Sequence, residues 1–130
     1  MENKEKIKSF TDLIAWQESH KLVLMIYKVT KLFPREETFS LTDQIKRAAV
    51  SISSNIAEGF SRRTTQDKMH FFHQALGSLT ELQDQILIAR DVKYVGNALF
   101  LEIANQTVSV SKLINSLLKY LNTSVKIPDT

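Results

Sequence analysis

The sequence lacks cysteine altogether and has few glycines and prolines, three and two among 130 residues. The missing cysteine excludes disulfides, zinc ribbons, iron–sulfur clusters and thiol nucleophiles, and it fits a reducing compartment. So few glycines and prolines do not provide the many turns of an all-β fold. Hydrophobic runs stay well short of the roughly 20 residues that cross a bilayer, and Met1–Lys8 lacks the apolar segment of a signal peptide. We therefore expect a cytoplasmic protein that does not bind membranes.

The composition, 43% hydrophobic and 24% charged, is typical of a globular protein. A chain of 130 residues buries enough surface to fold without a disulfide or a structural metal. Because the sequence shows neither an internal repeat nor a break between two domains, we predict that residues 1–130 form a single domain.

Apolar residues recur at spacings of three and four in four stretches, which is the period of an amphipathic helix. The predicted helices cover residues 12–33, 41–59, 65–92 and 97–121, with frayed ends. Their predicted core positions are, helix by helix, Trp16, Val23, Ile26, Tyr27 and Phe33; Leu41, Ile45, Ala48, Ile52 and Ile56; Phe72, Ala75, Leu79, Leu82, Ile86 and Ala89; Ile103, Val110, Ile114, Leu117 and Leu121. Four helices with short connections predict an all-α fold, an antiparallel up-down-up-down four-helix bundle.

The ends of these helices carry residues that favour helix caps. Asp12 is the predicted N-cap of the first helix. Ser40 precedes the second helix and forms a capping-box variant with Asp43, whereas Gly59 is the predicted C-cap. The third helix is predicted to begin at Thr64 or at the threonine after it.

The second predicted helix carries a polar arc in addition to its hydrophobic stripe. At about 100° per residue, five residues fall together opposite the isoleucines: Arg47, Ser51, Ser54, Asn55 and Glu58. Arg47 and Glu58 lie roughly 16 Å apart along the axis and cannot pair with each other. Glu58 reaches Arg62 if the helix continues, and Arg47 needs an acid such as Glu81 or one on another chain. Three interpretations of this arc stay open: a solvated face, a polar network between helices or subunits, and direct contact with a ligand.

Basic residues concentrate from the second predicted helix into the third. Between Gln44 and His73 five cations accompany two acids, so this window carries +3, the excess of the whole chain. The five cations are Lys46, Arg47, Arg62, Arg63 and Lys68. Such a patch is a candidate contact for the phosphates of a nucleic acid, and a solvated surface is the alternative.

Helices three and four have more apolar residues than a monomeric bundle needs. The surplus positions are Phe71, Leu76 and Leu87, and Leu99, Val108, Leu113 and Leu118. Excess apolar surface favours association, so we expect a cyclic homo-oligomer. A wider core in a monomer is the alternative.

The sequence shows no catalytic constellation. No glutamate is followed three residues later by histidine, which excludes the di-iron carboxylate bundle enzymes, and the isolated glycines form no phosphate-binding loop. Asp67, His70 and His73 would suit a surface metal ion, although solvated histidines are the simpler interpretation. Core packing is a better explanation than base stacking for the aromatic residues Trp16, Tyr27 and Phe33. We expect no catalytic residue, no metal, no cofactor and no enzymatic activity.

The run Gln44–Gly59, QIKRAAVSISSNIAEG, is followed by Arg62 and Arg63. This pattern closely resembles the signature of the four-helix-bundle proteins encoded in intervening sequences of bacterial 23S rRNA genes. The segments 13–17, 32–34 and 75–82 resemble further landmarks of the same family, so the resemblance spans most of the chain.

The resemblance implies a bacterial four-helix bundle that assembles as a ring-shaped pentamer. A related group serves as accessory proteins to the reverse transcriptases of diversity-generating retroelements, and it binds nucleic acid and the transcriptase through a basic surface. The residues that match the shared motif are Arg47, Ser51, Asn55, Glu58, Gly59 and Arg62. Because a carboxylate repels phosphate, we assign Asn55 and Glu58 to structure. The predicted structural or interface motif as a whole is Arg47, Ser51, Asn55, Glu58 and Gly59.

The sequence thus predicts a non-enzymatic, oligomeric bundle that binds RNA or DNA through the five cations of its basic patch. The alternative is a protein-interaction scaffold or accessory factor, for example for a reverse transcriptase. A small enzyme or metal carrier using Asp67, His70 and His73 is the remaining alternative.

Overall fold

The structure, a computed structural model, describes residues 7–126 and contains four helices, with no β-strand among those residues. The helices are α1, Ile14–Val29; α2, Leu41–Ser61; α3, Thr65–Asp91; and α4, Asn97–Lys126. Three short 3₁₀ turns, Phe10–Asp12, Thr30–Leu32 and Arg35–Glu37, precede or follow α1. The all-α class with four helices is therefore confirmed.

Neighbouring helices are joined by residue pairs whose order shows their relative direction. Ser51 in α2 hydrogen-bonds Ser78 in α3. Further along α2, Gly59 lies against Phe72, which comes earlier in α3, so the two helices are antiparallel. The α3–α4 pair is also antiparallel, because Gln83 bonds Thr107 while the later residue Arg90 covers the earlier residue Phe100. The same holds for α1 and α4, because Glu18 bonds Gln106 while Leu32, which follows α1, lies near Leu99.

The core lies between the four helices and contains most of the predicted positions. All six predicted core residues of α3 are buried, and four of the five in α2 are buried, with Leu41 half-buried. The fourth helix buries Ile103, Val110 and Ile114 as predicted, together with Phe100, Thr107 and Leu118. The apolar period of these helices therefore identifies their inner faces.

The buried face of α1 differs from the prediction. Ile26 and Phe33 are buried, but Tyr27 is 44% exposed. The inner face of α1 instead follows the spacing Ala15, Ser19, Leu22, Ile26 and Val29. Ser19 is tolerated there because its hydroxyl donates a 2.7 Å hydrogen bond to the Ala15 carbonyl.

The start of α1 corrects another prediction, because Asp12 does not cap that helix. Ser9 caps the turn Phe10–Asp12, and the Asp12 carboxylate accepts a hydrogen bond from the Ser9 backbone N–H. The N-cap position of α1 is Leu13, which has no side-chain cap bond. The third helix begins at Thr65, one of its two predicted starting residues, and Thr64 caps it by accepting a hydrogen bond from the backbone N–H of Asp67.

Glu37 replaces the capping box predicted for α2. Its carboxylate accepts hydrogen bonds from the Ser40 hydroxyl (2.7 Å), the Leu41 backbone N–H (3.2 Å) and the Tyr94 hydroxyl (2.8 Å). Ser40 therefore donates to Glu37 and does not form the predicted arrangement with Asp43. These three hydrogen bonds lower the pKa of Glu37, and the bond from Ser40 has the largest effect. The hydrogen bond to Glu37 raises the pKa of Tyr94. Glu37 thus fixes the α1–α2 linker to the α3–α4 connection.

Two helix ends extend beyond their predicted limits. Gly59 is buried inside α2 and is not the C-cap, because the helix continues to Ser61 and Arg62 takes the cap position. The fourth helix continues from the predicted end at Leu121 to Lys126, since the first strong helix breaker after it is Pro128. The last part of the predicted frayed tail, residues 127–130, lies outside the described residues.

Candidate functional site

The polar arc of α2 contributes a hydrogen-bond network to the α2–α3 interface. Ser51 and Asn55 are half-buried. The Asn55 Nδ2 donates to the Ser51 carbonyl oxygen (2.8 Å) and to Ser51 Oγ (3.0 Å), and Ser51 Oγ lies 2.8 Å from Ser78 Oγ. This half of the arc flanks the core, whereas we predicted the whole arc to lie opposite it. Ser54, in contrast, is exposed.

Arg47 of the arc and Arg62, the C-cap residue of α2, each pair with a carboxylate of α2. Arg47 Nε lies 2.9 Å from Asp43 Oδ2, and Arg62 pairs with Glu58, each across one helical turn. Arg47 does not form the ion pair with Glu81 that we considered, although both residues line a shallow cavity. Exposed pairs at this spacing contribute about 0.3–0.5 kcal/mol, so they restrain the arginines only weakly. The arc therefore has nearly balanced charge along its length.

The two lysines of the basic patch also contact other residues of the same chain. The Lys46 ammonium lies 4.7 Å from the centroid of the Tyr27 ring, across the α1–α2 boundary. The Lys68 ammonium donates to the Phe60 carbonyl (2.7 Å), and Gly59 O lies 3.4 Å away. Those carbonyls belong to the last turn of α2, so Lys68 stabilises the negative end of that helix. Partial burial lowers the pKa of Lys68.

The five predicted cations consequently form two groups and not one patch. Arg47 and Arg62 are separated by roughly 22 Å along α2, at 1.5 Å per residue. Lys46 lies in the first group, while Arg63 and Lys68 lie in the second. Arg63 is exposed and forms no ion pair within residues 7–126. Arg62 and Arg63 are adjacent exposed cations at the α2–α3 connection, and Arg62 also lies over the Phe71 ring, 4.6 Å from its centroid.

Gly59, the last residue of the predicted motif, has a packing role. A Cβ at this position would lie 2.6 Å from Phe72 Cε1, closer than atoms can approach without a shift. Phe72 is itself buried, and the ring cannot move aside into solvent. The glycine therefore permits close contact between the end of α2 and the start of α3.

Apolar side chains remain exposed, and several of them lie at one end of the bundle. This apolar end is formed where α1 finishes, α2 begins and α3 connects to α4. Its exposed members are Leu32, Phe39, Ile88, Val92 and Leu99. Phe39 is 94% exposed, which is exceptional for an aromatic residue held within ordered backbone. Sequence reasoning missed Phe39, although a lone aromatic residue in a charged linker was visible in the sequence.

The surplus apolar residues predicted from the sequence divide into three groups. Leu118 is buried in the core. Phe71, Leu76 and Leu113 are half-buried. The remaining three, Leu87, Leu99 and Val108, are exposed. The wider-core alternative therefore explains part of the surplus, and the rest stays on the surface.

A groove between α1 and α4 lies beside the apolar end. It has a volume of about 350 Å³. Its lining is mainly hydrophobic, with one charge of each sign: Met25, Lys28, Val29, Leu32, Leu99, Glu102 and Ile103. A groove of this size accommodates an apolar side chain or a small ligand.

The other sequence candidates receive no additional support as ligand sites. Trp16 stacks on His20, with 4.7 Å between ring centroids, and meets Phe10 edge-on. Phe33 is buried, so core packing explains it, as expected. Within the described part of the chain, no cluster of three histidine, aspartate or glutamate side chains is arranged to hold a metal ion. No helix among the described residues is both long and apolar enough to span a membrane.

Comparison with known proteins gives one family match and one similar structure that we describe. The model of the family described as 23S rRNA-intervening sequence protein matches residues 11–116. A 1.70 Å crystal structure from Bacteroides thetaiotaomicron, of a protein with unknown function from the S23 ribosomal protein family, has a TM-score of 0.76. It shares 22% identity over 82% of this chain and 99% of its own, a likeness that concerns the fold alone. No curated protein matches the chain.

Proposed function

The chain belongs to the 23S rRNA-intervening sequence protein family, and we propose that it is a non-enzymatic binding module that assembles with copies of itself. The observation that carries this proposal is the apolar end, where five large hydrophobic side chains, Phe39 among them, are exposed at the same end of the bundle. Such clusters are rare on monomers and are typical of association surfaces. The resemblance noted above implies that the assembly is a ring of five subunits.

The energetics favour an assembly in which each subunit makes more than one contact. Burying a fully exposed large hydrophobic side chain stabilises by about 1.5–3 kcal/mol. The five residues of the apolar end are between 40% and 94% exposed, so burying what remains exposed supplies about 4–9 kcal/mol. Association costs about 4–15 kcal/mol in lost translational and rotational freedom. One such contact is therefore marginal. A reciprocal dimer forms two contacts in one association step, and a closed ring forms one more contact than the number of association steps that build it.

Two leucines with matched exposure test this proposal. Leu32 is 58% exposed at the apolar end, and Leu24 is 57% exposed in the middle of α1. We expect Leu32→Glu to shift sedimentation velocity profiles toward the monomer and Leu24→Glu to leave the assembly unchanged. Equal sedimentation of the wild type and Leu32→Glu at every concentration would contradict a role of this end in assembly. Circular dichroism confirms that both variants stay helical.

Nucleic-acid binding is the second candidate function, and the adjacent exposed side chains of Arg62 and Arg63 favour it. A single subunit offers only these two well-placed cations, so its affinity for phosphates is small. An assembly repeats the pair in each subunit and strengthens binding through multivalency. The ligand would be contacted through its backbone without sequence readout. The partner can alternatively be a protein, such as the reverse transcriptase that the resemblance implies.

Fluorescence anisotropy with a single-stranded RNA and a DNA duplex tests this candidate. If nucleic acid binds, the logarithm of the association constant falls linearly with the logarithm of the salt concentration, by roughly 0.7–0.9 for each phosphate neutralised. Replacing Arg62 and Arg63 by alanine reduces that slope, whereas replacing Lys112 and Lys119 on α4 does not. Affinity that is absent at low salt, or unchanged by the arginine substitutions, contradicts a nucleic-acid interface at the α2–α3 connection.

A further inference from the structure

Phe39 is displayed by a fixed segment of backbone. On its C-terminal side, the Ser40 hydroxyl and the Leu41 backbone N–H both donate to the Glu37 carboxylate. On its N-terminal side, the Thr38 hydroxyl donates to the Arg35 carbonyl at 2.7 Å. The ring nevertheless remains almost wholly in solvent. Because the backbone on both sides of Phe39 is held in place before binding, less entropy is lost when the ring enters a pocket, so Phe39 has the properties of an interface anchor.

The α1–α4 groove has the properties of a receiving site. Val29 and Ile103 are buried at its base, while Leu32 and Leu99 are exposed. Phe39 of the same chain does not fill this groove, because its side chain is almost fully exposed. The chain therefore carries an unburied aromatic anchor and an apolar groove at the same end of the bundle.

Charges around the anchor and the groove complement each other. The exposed residues Lys28 and Glu102 line the groove. The exposed residues Arg35 and Glu36 lie in the turn that precedes Phe39. Each side thus carries one cation and one anion, and a second copy of this chain provides both pairs. When Phe39 enters the groove with Arg35 facing Glu102 and Glu36 facing Lys28, both pairs of opposite charges favour the contact. The charges therefore select the orientation of the two chains as well as adding affinity.

We propose that Phe39 of one subunit inserts into the groove formed by Met25, Val29, Leu32, Leu99 and Ile103 of a second copy. The inference rests on the proposed self-assembly and specifies its interface. Anchor and groove are different patches of the surface, so the contact is heterologous. If each subunit makes this contact with the next and the rotation between subunits closes, the contact forms a ring. If two chains each insert Phe39 into the groove of the other, it forms a dimer.

Alanine substitution measures the contribution of the anchor. Phe39→Ala is expected to raise the dissociation constant of the assembly by about tenfold or more, because a buried aromatic contact is lost. Tyr120→Ala is the matched control, since Tyr120 is an aromatic residue 69% exposed on α4, far from the apolar end. Sedimentation velocity over a range of concentrations reports both variants. An unchanged dissociation constant for Phe39→Ala overturns the inference.

The absence of cysteine allows a direct cross-linking test. Two full-length variants, Phe39→Cys and Leu99→Cys, are mixed under mild oxidation. A disulfide between the two different chains, identified by mass spectrometry of the joined peptides, is the expected result. The control mixture of Tyr120→Cys with Leu99→Cys should not form the corresponding bridge.

The outcomes separate the interface from the assembly itself. A wild type that remains monomeric at all concentrations contradicts self-assembly and the interface together. A wild type that assembles, with no bridge between Phe39→Cys and Leu99→Cys, overturns the interface and leaves self-assembly standing. A bridge together with weaker assembly of Phe39→Ala supports both.

Discussion

The close contact between Gly59 and Phe72 leads to a prediction in which two similar substitutions have opposite effects. Gly59 lies near the end of α2, and a Cβ there would approach Phe72 Cε1 to 2.6 Å. Gly77 lies inside α3, and a Cβ there would meet nothing within 4 Å. Replacing glycine by alanine in a helix stabilises it by up to about 1 kcal/mol. Gly77→Ala should therefore raise the free energy of unfolding.

Gly59→Ala gains at most the same helix propensity and adds a steric clash with a buried ring. Overpacking of this kind costs about 1–3 kcal/mol. The difference in the free energy of unfolding between the two variants measures the clash alone, because both replace glycine by alanine within a helix. We expect Gly59→Ala to be less stable than Gly77→Ala by about 1–3 kcal/mol, measured by urea unfolding at one fixed protein concentration.

A second substitution shows whether the clash is with Phe72 itself. Phe72→Leu removes Cε1, the atom nearest to the new methyl group, so the double variant with Gly59→Ala should lose less stability than the sum of the single variants. Equal stability of Gly59→Ala and Gly77→Ala would refute the close contact. Strictly additive effects in the double variant would show that some other residue limits the space at this position.

Three further predictions concern polar groups. Asn55→Ala should lower the free energy of unfolding by about 1 kcal/mol through loss of the half-buried hydrogen bonds to Ser51, whereas Ser54→Ala should change it by less than about 0.5 kcal/mol; urea unfolding compares them. Because the pKa of Glu37 is lowered by folding, its stabilising contribution is complete above its unfolded value of about 4.5 and is lost as the pH falls through the lower folded value. Glu37→Gln should therefore weaken the acid dependence of thermal unfolding, and an unchanged pH profile would contradict this role. Lys68→Met keeps the aliphatic stem but removes the bonds to the α2 carbonyls, so it should lower stability by about 0.3–1 kcal/mol, while Arg63→Ala should leave stability nearly unchanged.

The sequence was sufficient to predict the four helices and most of their inner faces, because an amphipathic period directly reflects burial. It was least informative in α1, where Trp16, Val23 and Tyr27 mark the edge of the core and Ser19 lies inside it. A polar residue that bonds the backbone of its own helix is easily buried, but hydropathy alone assigns it to the surface. The same difficulty explains why Asn55 and Ser51 were placed opposite the core.

The candidate site was harder to predict, because contacts between residues distant in the sequence determine which of its side chains are free to bind a partner. The sequence identifies five cations near one another, but it does not show that Lys68 bonds the end of α2 or that Lys46 covers Tyr27. Glu37 gave no sequence signal of its own, since its partner Tyr94 is 57 residues away. Phe39 was detectable in principle, because burial of a lone aromatic residue is not expected within a short charged linker.

The most direct test of the account is light scattering combined with absorbance at 260 and 280 nm, applied to the untagged wild-type protein as it elutes from a sizing column. We expect a mass of at least two subunits of 14.9 kDa, and of five subunits if the ring implied by the resemblance forms. The mass should persist after nuclease treatment, because the proposed contacts are between protein surfaces. A single species of 14.9 kDa at every concentration would contradict the account.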